Sequence, residues 1–208
     1  MSEPLPLWIG FALSALLIEL TPGPNMGFLA LVSASRGRRP GWAVTAGIAL
    51  GLLGSGLLAA LGVAKAVQVY PALFDALKYA GALYLVWLAV EQWREADDPW
   101  RLDAGANNER TLRRYFRHGL VVNLLNPKAM LFYVTILPQF IAPGADVRSS
   151  ALGLTGLYVG IATTVHALIV LLGGTLHGGL SRGRTRLVAT RAMAVSLVGV
   201  AAWIAFDL

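Results

Sequence analysis

Two short stretches carry chemistry at odds with the apolar sequence around them: Thr21-Pro22-Gly23-Pro24-Asn25 near the start of the chain and Asn126-Pro127-Lys128 past its middle. A proline inside a helix removes a backbone donor and clashes with the carbonyl four residues back, and in hydrocarbon the polar groups so freed need partners. Two prolines around a glycine go further. They should end one half-helix and start another, with Thr21 or Gly23 as N-cap and a proline at the first helical position. Free carbonyls and free amides then face each other. Amide ends attract a carboxylate and carbonyl ends attract an ammonium, so the arrangement suits a zwitterion such as an amino acid. A lone proline kink would only shape packing. Here a second break, at Asn126-Pro127, places Pro22 and Pro127 105 residues apart and favours a binding site.

Lys128 puts an ammonium about a dozen residues into its apolar segment, where snorkelling to the interface reaches least. A buried lysine costs about 2.5 kcal/mol or more at the centre of a span, and such groups are paired or functional. Glu19, just before the first break, is a candidate proton-coupling carboxylate or a partner for Lys128. His166 is a relay candidate or a helix–helix hydrogen-bonding group. Asp75 and Lys78, at i and i+3, read most simply as a local interfacial pair. Tyr84, Tyr133 and Gln139 could donate hydrogen bonds into a cavity, although tyrosines are common at membrane interfaces. The three histidines lie far apart without acidic partners at ligand spacing, so no metal site is expected. Nor is there a nucleophile elbow, an H-E-x-x-H or a P-loop, which counts against a hydrolase or an ATP-driven pump. Neither an enzyme nor a cofactor is expected.

The elements that hold these groups are read from hydropathy. Of 208 residues 56% are hydrophobic and 13% charged, with a mean hydropathy of +0.63, well above that of a soluble domain. A transmembrane helix needs roughly 20 mostly apolar residues. Apolar runs at Leu5 to Val32, Trp42 to Val63, Ala72 to Trp93, Phe116 to Ile141, Ala151 to Leu176 and Leu187 to Phe206 predict an all-α membrane protein of six spans in a single domain over 1–208. The connections carry breakers and charges: RGRRPG at 36–41, a solvated loop at about 95–112, and SRGRTR at 181–186. With Glu3 ahead of the first run and no basic residue before Arg36, that run reads as a retained helix rather than a signal peptide. The net charge of +6 belongs to membrane topology rather than to nucleic acid, because the basic residues flank apolar runs. The chain has no cysteine, which excludes thiol relays, disulfides and iron–sulfur clusters.

Thirteen of the seventeen Lys and Arg residues fall on the odd-numbered connections. The positive-inside rule then puts those connections in the cytoplasm and both termini outside. The halves, about 1–95 and 112–208, each open with a proline-broken helix, and each second helix carries a small-residue stripe: Gly47, Gly51, Ser55 and Gly156, Gly160, Thr164. Three spans per half makes the halves oppositely oriented. Two inverted three-helix repeats, with helices 1 and 4 broken, would put a substrate site where the breaks meet. The stripes could pack within one chain or join two in a homo-oligomer.

The segments TPGPNM at 21–26, LKYAGALYLVWLA at 77–89 and NPKAMLFYVTILPQF at 126–140, in that order and spacing, resemble the LysE/RhtB amino-acid exporter family. The resemblance covers nearly the whole chain. It implies a small bacterial inner-membrane protein that exports amino acids, driven by the proton motive force, with amino acid, protons and lipid as its partners. It implies functional roles for Pro22, Gly23, Pro24, Asn25, Asn126, Pro127 and Lys128, and matches Lys78, Gly81 and Tyr84 to the third-helix motif. Glu19 departs from the family pattern, which has an apolar or small polar residue there. A passive channel or importer for small zwitterions, or a non-transporting membrane scaffold, are the alternative readings.

Overall fold

The computed structural model describes residues 6–62, 69–96, 108–180 and 183–207, and every regular element among them is helical. The first helix, α1 (Leu7–Leu20), stops at Thr21, which is extended. The chain turns helical again as α2 (Pro24–Arg36), with extended Gly23 as N-cap and Pro24 at its first position. The two segments meet at 56°. Residues before a proline are pushed out of the helical region. Thr21 precedes Pro22 and Gly23 precedes Pro24, so no helix restarts until Pro24. The counterpart of Pro127 is therefore Pro24, not Pro22.

The second break has the same construction. Helix α5 (Glu109–Leu124) starts at Asn108, whose side chain accepts the Thr111 N–H at 2.8 Å. It gives way at Leu125 to α6 (Pro127–Leu131), capped by Asn126. The bend is 49°. Beyond α6 the helix widens into a π-helical stretch, Phe132–Ile136, and tightens into a 3₁₀ turn, Leu137–Phe140. Pro138, unable to donate to the carbonyl four residues back, accounts for that irregularity.

The remaining helices are α3 (Arg38–Ala60), α4 (Pro71–Ala96), α7 (Val147–Leu180) and α8 (Gly183–Asp207). The loop expected at 36–41 shrinks to one residue, Gly37, whose φ of 89° lies in the left-handed region open to glycine. Residues 97–107 of the expected 95–112 loop lie outside the described residues. Three helical stretches, Arg38–Ala60, Ala72–Glu91 and Val147–Thr175, are long and apolar enough to cross a membrane, and there are up to five spans if each bent pair counts as one. Helix α8 carries a shorter apolar stretch, Thr190–Phe206, on which the expected sixth span rests.

Packing is set by close helix approaches. α3 lies mainly on α5, α8 on α4, and α1, α2 and α3 all on α7. At Gly47 an added Cβ would strike the Phe116 carbonyl, and at Gly51 it would lie 2.7 Å from Asn123 Nδ2. Since 47 meets 116 and 51 meets 123, α3 and α5 run parallel. Gly41 meets Val170 and Gly56 meets Thr155, so α3 and α7 run antiparallel. The other small-residue stripe behaves differently. Gly156 and Gly160 have nothing near a would-be Cβ and, with Thr164, Trp8 and Leu16, line an open apolar groove of about 940 Å³ between α1 and α7. Large apolar side chains such as Leu17, Leu83 and Leu172 face outward while Glu19, Asn25, Asn123, Asn126 and His166 are buried. That inversion of the soluble pattern fits a protein whose surroundings are lipid.

Candidate functional site

The two breaks lie side by side. Between them is a small cavity lined by Glu19, Gly23, Asn25, Met26, Asn126, Lys128, Ala129 and Tyr158, with space for about one water molecule. Each broken helix supplies a different kind of terminus to it. The N-terminus of α2 has no side-chain cap, so the N–H groups of Asn25 and Met26, both of which line the cavity, have no intrahelical acceptor. The N-terminus of α6 is capped by its own Asn126, whose Oδ1 accepts the Lys128 N–H at 3.0 Å.

The residue following each of the two helix-starting prolines reaches across to the other broken helix. Lys128 Nζ donates to the Thr21 carbonyl, at the end of α1, at 2.5 Å. Asn25 Nδ2 donates to Asn123 Oδ1, in the last turn of α5, at 2.8 Å. The two crossings form a matched pair, one per break. Gly23 leaves room for the first, since a Cβ there would lie 3.1 Å from Lys128 Cδ.

Glu19 is 4% exposed, and Tyr158 donates its hydroxyl to Glu19 Oε1 at 2.7 Å. His166 Nε2 stands 3.4 Å from Oε2. The structure thus brings Glu19 and His166 together, 147 residues apart in sequence, and adds Tyr158, which the sequence reading overlooked. The alternative that Glu19 pairs directly with Lys128 is not what the geometry shows. The two charges line the same cavity but are engaged by other groups. Phe132 stacks on Tyr158 at 3.9 Å between centroids, fixing the ring that holds the carboxylate.

The other candidates are elsewhere. Thr21 contributes its carbonyl, while its hydroxyl turns back to the Leu17 carbonyl at 3.0 Å. Pro22 spans the gap between helices, and Pro24 and Pro127 set the helix starts. Among the described residues no ion pair joins Asp75 to Lys78. Lys78 is buried with its ammonium 4.9 Å from the Tyr79 ring centroid. Gly81 sits against the Leu125 carbonyl, seating α4 on the second break. Tyr84 stacks on Trp87 in an aromatic cluster around His118 and does not line the cavity. Tyr133 donates to the Leu52 carbonyl at 2.8 Å, and Gln139 to the Thr135 carbonyl at 2.6 Å. Among the described residues no three histidine or acidic side chains converge on a metal position.

Residues 16–207 match the family of LysE type translocators. The chain belongs to that family. A LysE-type translocator is a multi-pass membrane protein, in keeping with the apolar helices here. The chain is similar to an uncharacterised membrane protein of Pseudomonas aeruginosa, 32% identical over 86% of this chain and 84% of the relative. It is similar to the homoserine/homoserine lactone efflux protein of Salmonella typhi, 33% identical over 80% of this chain and 77% of the relative. It is also similar to the leucine efflux protein of Klebsiella pneumoniae, 29% identical over 93% and 91%. No solved structure matches the chain.

Proposed function

We propose that the protein is a secondary transporter that exports a small amino acid or a close derivative across the bacterial inner membrane by exchange with protons. The observation that carries the reading is the cavity between the two breaks, in which a lysine ammonium, a carboxylate and an uncapped helix N-terminus line one small enclosed space. The groups around it offer complementary charge to both ends of an amino acid, which enters once the crossings between the two breaks part, because the closed space holds about one water molecule. The substrate carboxylate takes the α2 amides and the Lys128 ammonium. Its own ammonium takes Glu19. Homologous efflux proteins for homoserine and leucine supply the substrate class.

Glu19 accounts for coupling. A carboxylate held by a tyrosine hydroxyl and facing a histidine can bind either a proton or the substrate ammonium, not both at full strength. Proton entry at Glu19 then releases the amino acid, and loss of the proton restores the site. With the chain in two inverted three-helix repeats, α1–α2 and α5–α6 are the broken spans. Reciprocal packing supports that division: α3 on α5 in one half answers α7 on α1 and α2 in the other, with α3 and α7 antiparallel. Under this arrangement the arginine-rich connections face the cytoplasm and both termini face outwards.

The test is efflux of labelled amino acids from preloaded membrane vesicles with and without the protein. Export that stops when a protonophore collapses the gradient supports the reading. Efflux that continues downhill regardless of the gradient points to a passive pore, and no efflux of any amino acid contradicts the assignment.

A further inference from the structure

Asn123 is 1% exposed and Asn25 6% exposed, and they share a single hydrogen bond, Asn25 Nδ2 to Asn123 Oδ1. Asn25 Oδ1 and Asn123 Nδ2 are both buried without a partner. Turning both amides over leaves the count unchanged, because one donor and one acceptor remain unused in either setting. An unsatisfied buried amide atom is destabilising, and a structural staple would gain from apolar side chains at both positions. The site is nevertheless built around these amides: α3 has glycine at Gly51, where a Cβ would lie 2.7 Å from Asn123 Nδ2. Asn25 lines the cavity with Glu19 and Lys128. Asn123 does not line that cavity but a neighbouring one with Ser55, Asn126 and Tyr133, and it meets Asn25 through their shared hydrogen bond.

We propose that Asn123 is a specificity-determining residue, forming with Asn25 a clasp that reads the two charged ends of an amino acid. The inference rests on the proposed transport function and extends its site. Asn25 and Asn123 join α2 to α5, the half-helices leading from the breaks to the arginine-rich connections at Arg36 and Arg110. Lys128 and Thr21 join α6 to α1, which lead to the opposite side. An amino acid passing between the cavity and the arginine-rich side separates the two amides. It replaces their mutual bond with its own: a carboxylate oxygen accepts from the free N–H, and the ammonium donates to the free carbonyl. The unused donor and acceptor make that exchange possible without leaving either amide unpaired.

The test compares an exported amino acid with its carboxamide, which lacks the carboxylate charge, as competitors of labelled efflux by the whole protein in membrane vesicles. One hydrogen bond to a charged group is worth about tenfold in affinity. The wild type is expected to prefer the acid, and Asn123→Leu is expected to narrow that preference about tenfold, whereas Asn25→Leu, which removes the acceptor for the ammonium that both competitors carry, is expected to weaken acid and carboxamide alike. Asn123→Ser, small enough for the site, is expected to lie between and serves if the leucine variants do not reach the membrane. A clasp that only staples helices would depress transport while leaving the preference unchanged, and that result overturns the proposal. If the wild type exports amino acids but no variant changes the preference, the clasp fails alone. If the wild type exports none, the functional reading fails and the clasp with it.

Discussion

The two breaks use one design with two chemistries. At the first, Gly23 gives α2 a bare N-terminus, and Asn25 sends a neutral amide across to Asn123. At the second, Asn126 caps α6 with its own side chain, and Lys128 sends an ammonium across to the Thr21 carbonyl. A bare helix N-terminus is an open place for an anion, whereas a capped one has already spent an amide. In the proposed transport function the first break receives the substrate carboxylate, and the second supplies the Lys128 cation that closes on Thr21. Two matched positions, Gly23 against Asn126 and Asn25 against Lys128, set apart two helices that start alike at a proline.

The comparison can be broken most severely at Lys128. Lys128→Ala removes both the crossing to Thr21 and the cavity's cation, and is expected to abolish proton-driven export, a loss of at least about a hundredfold, in vesicles matched for protein content. Retained export would leave the second break with no role beyond packing. Glu19→Gln keeps a hydrogen-bond acceptor for Tyr158 but cannot exchange a proton. Concentrative efflux is expected to be lost while downhill exchange of amino acid persists and no longer responds to a protonophore, which separates coupling from binding. At the capped terminus, Asn126→Ala removes one cap and is expected to cost about 1 kcal/mol of stability, measured by thermal unfolding in detergent. The two stripes fall on either side of that figure. Gly47→Ala drives a Cβ into the Phe116 carbonyl and is expected to destabilise by about 1–3 kcal/mol, whereas Gly160→Ala, with open space around it, is expected to leave unfolding unchanged.

Both breaks were legible because proline and glycine act on the local backbone, and local rules are readable along the chain. The position of the restart was legible only in part. Thr21 or Gly23 could each have capped α2, and the choice followed from Pro24 holding Gly23 extended. What joins the breaks was not legible. Asn123 pairs with Asn25 across 98 residues, and Tyr158 with Glu19 across 139, and no periodicity links such distant positions. A signal existed in each case. Asn123 is a lone amide in the apolar run Val121–Leu125, one helical turn before Asn126, and Tyr158 lies eight residues before His166 on nearly the same face of α7. The two glycine stripes looked alike because spacing reports closeness to something, not what that something is. One receives α5 and the other faces an open groove.

The absence of cysteine from the sequence permits a direct test of the cavity. Ala129 lines it, is 2% exposed, and accepts cysteine with little change in size. The measurement is the rate at which a small thiol reagent labels Ala129→Cys in membrane vesicles, with and without a saturating amount of the exported amino acid, in protein that still exports it. A substrate held between the two breaks predicts slower labelling in its presence. Equal rates would contradict the placement of the site between them.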